Sequence, residues 1–219
     1  MAAGLIQGLN LDPEAPAYWQ EACEALALHS PVWVNLIQRH SDRALRSRGA
    51  PYETMLRSLV GQQISVKAAD AVWTRVLDAL NNLITSDSLL ALSDDTLKAT
   101  GLSRQKIAYA RALSEFEQNG LLTLALLDGM DDEACTRHLC EIKGVGRWTA
   151  QMFLMFCLRR PNVWPVDDIG VQRGISRQFF EGEPIGPKEA LQFGEKLKPW
   201  RTVAAWYLWR SLDPAVVDY

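Results

Sequence analysis

Residues 139–170 read LCEIKGVGRWTAQMFLMFCLRRPNVWPVDDIG, and the rest of the chain is understood from them. A polar helical pattern, DDEACTRHLCEI (131–142), leads into Lys143 and then Gly144-Val145-Gly146. An apolar helical pattern, RWTAQMFLMFCL (147–158), follows at once. Glycine permits positive φ and lets a neighbouring backbone approach closely. A Gly-rich turn that opens a helix directs first-turn N–H groups outward, which suits a phosphate. Lys143 and Arg147 flank the turn with positive charge, and Thr149 stands in the first turn beyond it. The unit reads as helix–hairpin–helix. Many such turns are C-caps and nothing more, so the motif alone leaves both readings open.

Past Pro165, Asp167-Asp168 precede a further helical pattern, IGVQRGISRQFF (169–180). Either carboxylate fits an N-cap. A carboxylate at a helix start is favoured as the anion. In a partly desolvated place it also suits stabilisation of a developing cation or activation of water.

Outward from this stretch the chain reads as helices joined by short turns, with no alternating strand pattern. Helices are expected over about 16–28, 30–40, 52–62, 65–80, 103–118, 131–140, 147–159, 168–180, 187–197 and 200–211. Ser65 and Ser103 stand where N-caps belong, Pro187 in a first turn, and Gly120 just past a helix end. Leu56, Leu59 and Val60, then Val72, Val76 and Leu80, form apolar stripes that read as core. Residues 182–186 (GEPIG) read as a loop.

With 219 residues, 48% apolar and 22% charged, the chain suits one domain or two small ones. That composition excludes collagen, low-complexity disorder and a disulfide scaffold. No apolar run reaches the roughly 18 residues of a membrane span. The opening MAAGLIQGLNLDPEAP lacks the charged and apolar regions of a secretory signal. Cys23, Cys135, Cys140 and Cys157 form no CxxC pair, so reduced thiols packed in helices are expected. Cys135, His138 and Cys140 crowd together, but a fourth ligand at zinc spacing is missing.

The net charge of −3 argues at first against a nucleic-acid partner. Its distribution argues otherwise. Residues 39–75 and 137–160 each carry +4, whereas 1–38 carry −4 and 76–136 carry −6. A duplex senses the local field within about 8 Å at physiological salt, not the total. The plain alternative makes Arg39, Arg43, Arg46 and Arg48 a solvated helical face.

KGVGRWTAQMFLMF followed some 20 residues later by PVDD resembles the helix–hairpin–helix, Gly/Pro-rich loop and Asp signature of base-excision DNA glycosylases, nearest the DNA-3-methyladenine glycosylase II family. YETMLRSLVGQQIS (52–65) resembles that family's helix and DNA-inserting loop. GLSRQKIAYARAL (101–113) is similar to its middle helices, and KPWRTVAAWYLW (198–209) to its closing helix. The likeness runs in order over about 30–213.

The resemblance implies an all-α, two-lobed fold with the active site in the interlobe cleft. A middle lobe of 50–155 would carry wedge and hairpin; 1–49 plus 156–219 would form the second lobe and carry the catalytic carboxylate. Asp168 falls at that carboxylate, with Asp167 as the neighbour that caps or orients. Trp148 and Trp209 fall at aromatic positions of the base pocket. Gln62 and Gln63 fall on the inserting loop, with Gln63 as the wedge. Lys143, Gly144, Val145, Gly146, Arg147 and Thr149 fall on the element that grips the DNA backbone. In the family a monovalent ion, Na⁺ or K⁺, bridges hairpin carbonyls and phosphate; here these belong to Cys140, Ile142 and Val145. Tyr52 and Trp164 are held as cleft-lining candidates, and Trp19, Trp33 and Trp73 as packing.

Three departures matter. Trp148 stands where bifunctional relatives carry a Schiff-base lysine. No cysteine follows Cys157, so the four-cysteine iron–sulfur cluster of some relatives is absent. Lys143 replaces the more usual proline. The resemblance thus implies a monofunctional glycosylase that needs no cofactor. It would act as a monomer on damaged double-stranded DNA, away from membranes, in the cytoplasm and at the nucleoid in a bacterium. The expected substrates are alkylated purines of the 3-methyladenine and 7-methylguanine type. Deaminated or oxidised bases, and a non-catalytic DNA-binding module, are the alternatives.

Overall fold

The computed structural model describes residues 12, 14–47 and 49–212. Arg48 and most of the opening segment read for a signal lie outside the described residues. Among the described residues the structure is helical, with no strand. In chain order the helices are α1 (Trp19–His29), α2 (Pro31–Arg39), α3 (Pro51–Gly61), α4 (Val66–Ala79), α5 (Ser86–Ala91), α6 (Asp94–Ala99), α7 (Arg104–Gln118), α8 (Leu124–Asp128), α9 (Asp132–Leu139), α10 (Arg147–Phe156), α11 (Ile169–Phe179), α12 (Pro187–Glu195) and α13 (Arg201–Leu212).

The starts follow local chemistry. Ser65, Ser103, Asp131 and Asp168 each accept a first-turn backbone N–H through the side chain. Pro31, Pro51 and Pro187 occupy first positions, where a missing N–H costs nothing. Three short helices, α5, α6 and α8, were not expected from periodicity. Five or six residues make too few turns to show a stripe. Their caps were legible, since Thr85, Ser93 and Thr123 all hold the third following amide.

The chain divides into two compact units, 48–158 and 1–47 with 159–219. In the first, α3 packs on α4, α7 and α10. Its Met55, Leu56, Leu59 and Val60 are buried, as are Val76 and Leu80 of the second stripe. Tyr52, a cleft candidate, is core instead: it is buried, with its hydroxyl 2.6 Å from Ser114 Oγ. Desolvation pushes that phenol up to about 12.

The second unit is built around α13. Tyr207 lies beside Cys23 Sγ at 3.3 Å, and Trp19 meets Trp206 edge-on with ring centroids 5.2 Å apart. Trp164 is also core, its indole donating to the Ala190 carbonyl at 2.8 Å. Arg39 ends α2, while Arg43 and Arg46 follow it in irregular chain, so they share no helical face. Arg46 instead reaches Asp12 at 3.0 Å and Glu14 at 3.4 Å.

Helices α11 and α13 cross closely because Gly174 lies on Leu208. A Cβ there would sit 2.8 Å from Leu208 Cβ and 2.9 Å from its carbonyl oxygen. Gly174→Ala should therefore destabilise this unit by about 1–3 kcal/mol through overpacking. That exceeds the roughly 1 kcal/mol alanine gains over glycine in a helix. The check is the urea midpoint; an unchanged or raised midpoint refutes close packing at this crossing.

Candidate active site

In the 1–47 and 159–219 unit, Asp168 caps α11. Its Oδ1 accepts the Val171 amide at 2.7 Å and the Trp209 indole N–H at 2.8 Å. Two donors on one oxygen fix the carboxylate plane, and the helix start adds favourable dipole. Asp168 is half-buried, whereas Asp167 is exposed; the cap is Asp168 itself. Trp209 is 6% exposed, so its indole is set deep in the unit with its N–H on the carboxylate. Gly170 makes this approach possible. A Cβ there would meet Trp209 Cδ1 at 2.8 Å and Asp168 Oδ1 at 3.0 Å. Sequence reasoning passed over Gly170, although a glycine two residues after the Asp was the available signal.

In the 48–158 unit the hairpin lies between α9 and α10. Gly144 has φ +92, and a side chain there would run into the Tyr109 ring. Gly146 is extended instead, at φ −94 and ψ 173, and caps α10 without a side-chain acceptor for the first turn. Val145 is buried, and its N–H donates to the Ile142 carbonyl at 2.9 Å, closing the turn. That carbonyl retains one lone pair for another partner. The Cys140 thiol is exposed, contrary to the expectation of a packed cysteine; Cys23, Cys135 and Cys157 are buried. No group of three His, Cys, Asp or Glu residues suited to a metal occurs among the described residues.

The hairpin charges divide. Lys143 is exposed. Arg147 grips Glu133 with both arms, Nη1 to Oε1 at 2.9 Å and Nη2 to Oε2 at 2.6 Å. This pairing holds the Glu133 carboxyl below the usual glutamate range. Trp148 stands in the first turn of α10 and is 39% exposed, a high value for an indole. Thr149, next to it, is buried.

The loop expected to insert into DNA begins where α3 ends. Gln62 turns inward, and its Nε2 donates to the Gly144 carbonyl at 3.0 Å and to Thr149 Oγ1 at 3.3 Å. Gln63 is exposed and lies in the left-handed region at φ +59, where a non-glycine residue is strained by about 1–2 kcal/mol. Such strain concentrates at functional sites. Ile64 follows, 40% exposed, an apolar tip that sequence reasoning did not single out. Lys106, also passed over, donates from Nζ to the Val60 carbonyl at 2.6 Å, and desolvation lowers its pKa.

The model of the HhH-GPD superfamily of base excision DNA repair proteins matches residues 56–199. The chain belongs to that superfamily. It is 31% identical over 183 residues to DNA-3-methyladenine glycosylase 1 of Schizosaccharomyces pombe, covering 81% of this chain and 79% of that one. A DNA-3-methyladenine glycosidase structure from Bacillus halodurans superposes with a TM-score of 0.79 at 33% identity, over 87% of this chain and 88% of that one. The S. pombe 3-methyladenine DNA glycosylase Mag1 in complex with abasic DNA superposes at 0.78 and 28% identity, over 91% and 98%.

Trp209→Phe removes the indole N–H from Asp168 together with a small part of the buried ring. A hydrogen bond to a charged group is worth about 1.5–3 kcal/mol, so base release should slow roughly 10- to 100-fold if the bond strengthens in the transition state. Single-turnover release rates check this. A rate within about twofold of wild type means the pair is packing only.

Proposed function

We propose that this chain is a monofunctional DNA glycosylase that extrudes alkylated purines of the 3-methyladenine and 7-methylguanine type and hydrolyses their N-glycosidic bond. An abasic site remains for base-excision repair. The observation that carries the reading is Asp168, held at a helix start by an amide and an indole N–H on one oxygen. The names of the similar proteins point to the same lesion.

A stacked base is out of reach, so the nucleotide is rotated out of the duplex at a cost of a few kcal/mol. Gln63 occupies the vacated stack, and Gln62 supports it from the base of the loop. The backbone of 143–147 serves the phosphates, while Thr149, expected there too, is buried and instead accepts from Gln62. Trp148 offers its face to the extruded base, and Trp209 borders the carboxylate it anchors. An N-alkylated purine is cationic, so an indole face attracts it by about 0.5–2 kcal/mol, and its charge makes it a good leaving group. Asp168 stabilises the oxocarbenium-like sugar and activates water. With tryptophan at 148 there is no amine at that position to form a Schiff base with the sugar, which supports hydrolysis without strand cleavage.

No cofactor takes part in this chemistry. The carbonyls of Cys140, Ile142 and Val145 fit a Na⁺ or K⁺ ion. They are neutral hard oxygens on a turn held in shape by the Val145–Ile142 bond. The ion would add positive charge towards a phosphate. No helix among the described residues is long and apolar enough to cross a membrane. The partner is damaged double-stranded DNA, bound by a monomer in the cytoplasm, at the nucleoid if the cell is bacterial.

Asp168→Asn should abolish release of 3-methyladenine and 7-methylguanine from methylated DNA while binding to abasic DNA persists. Near-normal release by that variant would overturn the assignment; wild-type release only from deaminated or oxidised substrates would move it to another lesion. Neutralising Lys143 and Arg147 together should flatten the dependence of log K on log salt, by about one for each phosphate no longer neutralised. An unchanged slope removes the hairpin from the phosphate interface.

A further inference from the structure

Three elements of the 48–158 unit close a triangle around the inserting loop. Lys106 and Tyr109 are one turn apart on α7 and so share a face. Lys106 Nζ holds the Val60 carbonyl at 2.6 Å, near the C-terminal end of α3. The Tyr109 ring lies against Gly144, where only a glycine fits. The third side is Gln62, whose amide donates across to the Gly144 carbonyl at 3.0 Å and Thr149 Oγ1 at 3.3 Å. The next residue is Gln63, exposed and left-handed at φ +59.

We infer that Gln62 is a positioning residue: its amide ties the wedge residue Gln63 to the hairpin turn, so that insertion into the stack and the grip on phosphate move as one body. The inference rests on the glycosylase reading above. The chemistry of the tie is one-directional. Both partners of Nε2 are oxygens, and the Gly144 carbonyl accepts but cannot donate. A side chain at 62 must therefore donate; volume alone does not suffice. A carboxylate at that place would face a carbonyl oxygen and push the loop away. Lys106 supports the same loop from behind, at the carbonyl two residues before Gln62.

A residue that acts through Gln63 and one that touches DNA itself differ in a double-mutant cycle. The measurements are single-turnover release of 7-methylguanine and the fluorescence of 2-aminopurine beside the lesion, which reports unstacking. Gln62→Ala and Gln62→Glu should each slow release by about tenfold, as expected when the two hydrogen bonds of one supporting amide are removed. Unstacking should fall in parallel, and binding to abasic DNA, which has no base to extrude, should change by less than about threefold. With Gln63→Ala already in place, adding Gln62→Ala should cost nothing more. Additive effects, or a Gln62→Glu variant as active as wild type, would overturn the inference. If Gln62→Ala fails to fold, as judged by its melting temperature, Lys106→Met in the same cycle carries the test. If the wild-type protein releases no base, the glycosylase reading fails, and the tie is still judged from the fluorescence cycle on the intact lesion-bearing duplex, where unstacking is read without release.

Discussion

A carboxylate oxygen 2.8 Å from an indole nitrogen sets the terms for half of this molecule. For that bond to exist, Trp209 must be brought from α13 to the first turn of α11. The two helices must cross closely enough for Gly174 to rest on Leu208, and residue 170 must lack a side chain. The surrounding packing, with Trp19, Trp206 and Tyr207 interlocked, holds α13 still. A charged group is thus placed by apolar packing around it, and the helix that needs a cap receives one from the carboxylate proposed to do the chemistry.

The 48–158 unit works by a different principle. Its candidate site is marked by backbone features: a left-handed glycine, a left-handed glutamine, and a helix start without a side-chain cap. The side chains of Gln62, Lys106 and Tyr109 brace that backbone. Charge is also less available than counting suggests. Arg57 lies 3.4 Å from Asp70, and Arg147 is clasped by Glu133. Each basic stretch therefore has an arginine held by a carboxylate, Asp70 from the same stretch and Glu133 from the acidic stretch before it, and a phosphate that engages those arginines must exchange with them.

Much of this was legible in the sequence because the signals were local. Ser65, Ser103 and Gly120 needed only their neighbours to be read as helix ends, and the hairpin needed only residues 143–149. Asp168 was legible as a cap candidate for the same reason, although Asp167 was an equal contender until the fold chose. The links that matter most between elements were not legible. Trp209 meets Asp168 across 41 residues, and Gln62 meets Gly144 across 82. Nothing in a period of 3.6 announces such meetings. Arg147 was read from its place beside the hairpin, and nothing local announced that Glu133, fourteen residues earlier, clasps it. Tyr52 and Trp164 looked like cleft residues because aromatic residues near motifs invite that reading, yet each packs in the core of its own unit.

The exposed thiol of Cys140 sits at the start of the hairpin, and the protein around its sulfur raises its pKa. The nucleophile in thiol chemistry is the thiolate. A thiol that keeps its proton is a poor target for methyl donors and oxidants. Reagents that methylate purines also attack thiolates, so a repair protein works amid agents that could inactivate it. The Cys140 sulfur at the hairpin is therefore shifted further toward its protonated, less nucleophilic form, in the same direction as the buried thiols of Cys23 and Cys157.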